Sequence, residues 1–110
     1  MTSIAILGGT FDPIHNAHLE LAHTLTQTYH FKKIVFIPCK QNLLKEHSPA
    51  TAQERIEMIH LAINHFPAYH CDTREIKRKT PSYTIETLKS LRQDYSNDAL
   101  TFTMGIDSFN

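Results

Sequence analysis

The sequence predicts an α/β fold, a parallel sheet with helices on both faces, and three observations predict it. Short apolar runs suited to strands buried on both faces recur along the 110 residues. Between them lie longer stretches with helical periodicity, giving the order β-α-β-α-β-α-β without repeats or low-complexity linkers. The length and the 41% hydrophobic content suit one domain with a modest core. Parallel strands joined by right-handed crossovers follow from that alternation, with the predicted order 3-2-1-4.

The first strand is Ser3–Leu7, an unbroken apolar run. Gly8 to Ile14 form a loop containing Pro13 and two glycines, Gly8 and Gly9. The next helix covers Asn16 to Tyr29, with Asn16 as its N-cap and Ala17, Leu21, Ala22, Leu25 and Tyr29 on one side. The second strand, Lys33–Ile37, is stopped by Pro38, and residues 38–50 form a polar loop of a length that is often functional. Thr51-x-x-Glu54 is a capping box opening a helix to His65, with Ile56, Ile59, Ile63 and Phe66 as its stripe. A short third strand spans Tyr69–Cys71. The charged run Arg74–Lys79 reads mostly as a solvated face and leads through Pro81-Ser82 to a helix over Tyr83–Tyr95. Its apolar positions are Ile85, Leu88, Leu91 and Tyr95, and a fourth strand, Leu100–Met104, ends at Gly105.

Composition excludes several classes. Lys plus Arg equal Asp plus Glu at 11 each, so no broad basic surface addresses nucleic acid. No apolar stretch approaches the roughly 20 residues of a membrane span, and the N-terminus shows no signal-peptide pattern. Cys39 and Cys71 are isolated, which with the absent export signal points to a reducing cytoplasm. The eight histidines do not cluster as metal ligands, and six of them read as surface or packing residues. His15 and His18 stand apart from those six.

These two lie in Gly8-Gly9-Thr10-Phe11-Asp12-Pro13-Ile14-His15-Asn16-Ala17-His18, directly after the first strand. Glycines allow a close backbone approach to a ligand, and a helix N-terminus offers free N–H groups and a positive dipole end. Two imidazoles there can donate hydrogen bonds to a polyphosphate, which argues for nucleotide chemistry. In parallel sheets ligands sit beyond the strands' carboxyl ends, here residues 8–18, 38–50 and 105–110.

That run resembles the nucleotidyltransferase α/β-phosphodiesterase superfamily, marked by Gly-x-Phe-x-Pro followed by His-x-Gly-His. Within it the sequence is most similar to the bacterial nicotinate-nucleotide adenylyltransferases. The segment Arg74–Thr84 with its Pro81-Ser82-Tyr83-Thr84, the loop residue Lys45, and Gly105-Ile106-Asp107-Ser108 support that branch. Ala17 replaces the family's glycine between the histidines. The resemblance covers essentially the whole chain, yet a complete domain of this type runs to about twice its length. It therefore implies the N-terminal part (residues 1–110) of one Rossmann-like, doubly wound domain. The expected remainder holds a fifth strand, an aromatic cover for the pyridine ring and an Ile-Ser-x-Thr-x-x-Arg motif.

The implied reaction joins ATP, with Mg²⁺, to nicotinate mononucleotide, giving deamido-NAD and pyrophosphate. The resemblance assigns phosphate contacts to His15 and His18, the latter at the α-phosphate. Gly8, Gly9 and Thr10 form the turn beneath the phosphates, with Gly105 and Asp107 completing the ATP site and Asp107 accepting from a ribose hydroxyl. Lys45 reaches a phosphate. Tyr83 and Thr84, at a helix N-terminus, hold the pyridine carboxylate. Phe11 is expected to pack rather than touch ligand, and Asp12 to cap its loop. No side-chain nucleophile and no protein-held metal are implied. Two alternatives stand beside this reading: a catalytically impaired nucleotide-binding remnant, and pantetheine-phosphate adenylyltransferase, which usually carries Thr at position 15 and lacks Pro-Ser-Tyr-Thr. Without the remainder, residues 1–110 are expected to turn over poorly. The open edge of the fourth strand is expected to pair with a second copy.

Overall fold

A computed structural model describes residues 3–9, 11, 14, 16–38, 51–77 and 84–104, with side chains 84, 85, 103 and 104 excepted. Among the described residues, strands β1 (Ser3–Gly9), β2 (Lys33–Pro38), β3 (Tyr69–Cys71) and β4 (Ala99–Met104) are joined by four helices, two of them between β3 and β4. The helices are α1 (Asn16–Tyr29), α2 (Ala52–Ile63), α3 (Arg74–Lys77) and α4 (Thr84–Asp94). All strands pair in parallel, in the order β3-β2-β1-β4, as the alternation predicts.

Alternating side chains of the two central strands feed two separate cores. Ala5, Leu7, Ile34 and Phe36 face α1 and α2, meeting Ala22, Ile59 and Ile63. Ile4, Ile6, Val35 and Ile37 face the other way and bury Leu91 of α4. That two-sided burial is why both strands read as unbroken apolar runs. β3 and the inward side of α1 meet through His23, whose Nδ1 lies 2.8 Å from the Tyr69 hydroxyl. Its ring also meets Phe66 edge-on at 5.1 Å, so His23 is a packing residue.

Several local expectations change. β1 continues to Gly9, so Gly8 and Gly9 are strand residues, opposite Ile37 and Pro38 of β2. Neither has a positive φ, and the turn does not begin with them. Among the described residues between β1 and α1, Phe11 has a left-handed backbone, at φ 51°. Asn16 is the first residue within α1 rather than its cap. On α2 the buried stripe is Arg55, Ile59 and Ile63, with Ile56 only half-buried, and the helix ends at Ile63. The capping box forms as read: Glu54 N–H donates to the Thr51 hydroxyl at 3.1 Å, and Thr51 N–H donates to the Glu54 carboxylate at 3.0 Å. The short helix α3 lies within the charged run, where the sequence predicts none.

A candidate active site at the carboxyl ends of the strands

Parallel pairing brings the last residues of every strand to one end of the sheet. Gly8 lies between Ile37 of β2 and Met104 of β4, and Gly9 lies beside Pro38. A Cβ on Gly8 would stand 3.1 Å from Cζ of Phe102, so the glycine lets the Phe102 ring close over β1. Its role in the described structure is thus close packing rather than turning.

Just past β1, Phe11 is 1% exposed with a left-handed backbone. Such a φ is strained for a bulky residue, and strain of this kind concentrates at functional sites. Its ring meets His18 edge-on at 4.8 Å and Phe36 at 5.8 Å. His18 lies in the first turn of α1 and is only 5% exposed. Phe11 therefore packs as expected, and what it packs against is the histidine singled out for phosphate. Thr84 opens α4. Thr10, Asp12, Pro13, His15, Lys45, Tyr83, Gly105 and Asp107 lie outside the described residues, as does nearly all of the 38–50 segment. Of the expected site, the structure thus brings Gly8, Gly9 and His18 to the end of β1 and the start of α1.

Sequence reasoning missed two features of this end of the molecule. One is Arg55, fully buried in the first turn of α2. The spacing Arg55, Ile59, Ile63 marks a helix face as well as the all-apolar choice does, but a charged residue does not advertise burial. The other is a polar cluster behind β3. Asp72 N–H donates to the Phe36 carbonyl at 2.8 Å, fixing Asp72 at the end of β2. The Asp72 carboxylate accepts from the Arg74 N–H and Nε at 2.9 Å each, and from Nη2 at 2.7 Å. Arg74 also donates from Nη1 to Ser90 Oγ at 2.8 Å and from Nη2 to Asp94 Oδ2 at 2.7 Å. Thr87, fully buried, donates to Glu75 Oε2 at 3.0 Å. Arg74 is therefore a tether between strand end and helix, not part of a solvated face.

Burial alone would raise the Asp72 carboxyl; the bonds and charge of Arg74, aided by Lys77, outweigh it and hold the group below its ordinary 3.8. The same hydrogen bonds hold the Arg74 guanidinium above its ordinary value. Next door, burial and the charge of Asp72 push the Cys71 thiol up to about 11. Among the described residues no group of three or more His, Cys, Asp or Glu side chains is placed to hold a metal ion. Among them, too, no helix is long and apolar enough to cross a membrane.

The fold is the doubly wound parallel class in which ligands lie beyond the strand ends. The cytidylyltransferase-like family model matches residues 6–110, and the chain belongs to that family. Among its relatives, a probable nicotinate-nucleotide adenylyltransferase of Legionella pneumophila (strain Corby) is 44% identical, over 97% of this chain and 51% of its own length. A protein of the same name from Pseudoalteromonas atlantica is 39% identical, over 98% of this chain and 49% of its own length. The Plasmodium falciparum nicotinic acid mononucleotide adenylyltransferase complexed with NaAD superposes with a TM-score of 0.75 at 23% identity. That superposition covers 93% of this chain and 51% of the other, and it shows the fold. The chain thus spans about half the length of the relatives it matches.

Proposed function

We propose that this chain is the N-terminal nucleotide-binding part of a nicotinate-nucleotide adenylyltransferase, transferring the adenylyl group of ATP to nicotinate mononucleotide in NAD synthesis. The observation that carries the proposal is the end of β1, where the family's motif becomes a strained, buried Phe11 packed against His18 at the start of α1. A phosphate-binding imidazole must be held still, and edge-on packing against Phe11 and near-complete burial hold this one. Relatives of that name at 44% and 39% identity support the choice of acceptor.

In this reading a phosphate oxygen of nicotinate mononucleotide attacks the α-phosphorus of ATP in line. The new O–P bond forms as the α–β bridging bond breaks, and pyrophosphate leaves. Positioning and charge stabilisation carry the reaction, with no covalent intermediate on the protein. His18 and His15 donate to the phosphates, the α1 N-terminus adds its dipole, and Gly8, Gly9 and Thr10 let the chain pass close beneath. Lys45 meets a phosphate, Gly105 and Asp107 complete the ATP site at the ribose, and Tyr83 and Thr84 hold the pyridine carboxylate. Mg²⁺ enters with ATP as part of the substrate and neutralises the phosphates.

Titration calorimetry with ATP and Mg²⁺ tests the phosphate half. His18→Ala is expected to weaken ATP binding at least about tenfold, the scale of a lost hydrogen bond to a charged group. Calorimetric affinity for nicotinate mononucleotide, run against phosphopantetheine, tests the other half. Unchanged ATP affinity in the His18 variant, or a preference for phosphopantetheine, overturns the reading.

A further inference from the structure

α4 is held to the sheet by two kinds of contact that do different work. Leu91 packs into the face made by Ile4, Ile6, Val35 and Ile37. Apolar burial of this kind is strong but non-directional, and it fixes poorly how far a helix slides along its own axis. The polar contacts behind β3 are directional. They run from the β2 backbone through Asp72 to Arg74, and from Arg74 to Ser90 and Asp94. A further contact joins Glu75 of α3 to buried Thr87. Thr87, Ser90 and Asp94 follow one another at spacings of three and four, along one side of α4. One of these anchors, Thr87, is a single turn from Thr84, where the helix begins.

We propose that Asp72, Arg74, Glu75 and Thr87 are positioning residues that set the axial register of α4 against the carboxyl end of the sheet, and thereby place its first turn for the acceptor mononucleotide. The inference rests on the functional reading above, which puts the acceptor's carboxylate at the start of α4. Arginine suits the task because its planar fork reaches Asp72, Ser90 and Asp94 at once, whereas a lysine ammonium is a point charge on a flexible stem. None of the four needs to touch either nucleotide. Their loss should therefore separate the two substrates: ATP, held at β1 and α1, is spared, and the acceptor is not.

The variants are Arg74→Lys and Thr87→Val, with Thr87→Ser as the conservative control that keeps the hydroxyl. Two measurements are made on each: backbone amide exchange by mass spectrometry, and calorimetric affinity for ATP and for nicotinate mononucleotide separately. Expected is exchange about tenfold faster in the α4 peptide with β1 and β2 unchanged, the scale of one lost hydrogen bond to a charged group. Mononucleotide affinity should fall by about the same factor while ATP affinity stays within about twofold, and Thr87→Ser should behave as the parent. Unchanged α4 exchange overturns the proposal, and so does an equal loss of both nucleotides. If the parent chain prefers phosphopantetheine to nicotinate mononucleotide, the functional reading falls and the inferred acceptor role falls with it. The exchange result then still decides whether these residues set the register.

Discussion

Cys71 and Asp72 are neighbours in sequence, and their opposite shifts have one origin in the partner each is given. Asp72 has Arg74 against it and stays charged; Cys71 has burial and the Asp72 charge and stays protonated. With its thiol near 11, Cys71 presents little thiolate at neutral pH. Alkylation by iodoacetamide at pH 8, followed by peptide mapping, is therefore expected to be slow at Cys71. Asp72→Asn, which removes the neighbouring negative charge, is expected to speed it. Equal rates in the two proteins would show that burial alone sets the thiol. Phe11 makes the complementary point about legibility: its packing role was readable from its apolar type, but its left-handed backbone was not. Phenylalanine is among the last residues one would assign such a φ, and the two glycines beside it drew the expectation instead.

Helix ends show how local chemistry and local strain combine. The capping box at Thr51 and Glu54 was readable because its bonds span only a few residues and need no tertiary partner. α1 ends differently, on His30, which adopts φ 58° while its N–H still bonds the Thr26 carbonyl at 3.0 Å. That position usually belongs to glycine, since a Cβ in the left-handed region costs about 1 kcal/mol. His30 is exposed, so His30→Gly removes the strain without opening a cavity. After the entropy that glycine adds to the unfolded chain, the expected net gain is about 0.5 kcal/mol in unfolding free energy, read from the denaturant midpoint. A destabilised variant would mean that the imidazole contributes more than its backbone costs.

Across the whole molecule, the Asp72–Arg74 tether ties the sheet's end to α4 and makes stability depend on acid. The folded Asp72 carboxyl titrates below its ordinary 3.8, so the folded state binds this proton less readily than the unfolded chain does. Its contribution is complete above that ordinary value and is lost as pH falls through the lower, folded one. Asp72→Asn is expected to cost about 1.5–3 kcal/mol at pH 7, the range for a hydrogen bond to a charged group. Parent and variant stabilities should converge as pH falls below 3.8. Parallel curves across that range in urea titrations would show that the charge of Asp72 adds no net stability.

By itself, the sequence determined the parallel sheet, its strand order and the position of the nucleotide-type motif at the end of β1. Those depend on periodicity, on alternation and on turn chemistry, all of which are written in neighbouring residues. Only the tertiary structure decided which polar residues go inside. Arg55 and Thr87 are fully buried, although their types are mostly found at surfaces. The charged run at Arg74 became a tether because Ser90 and Asp94, distant in sequence, face it from α4. Gly8 became a packing residue because Phe102, across the β1–β4 pair, needs the space above it. A hydrogen bond or a close approach between distant residues leaves no periodic mark on the chain, so only folding reveals it.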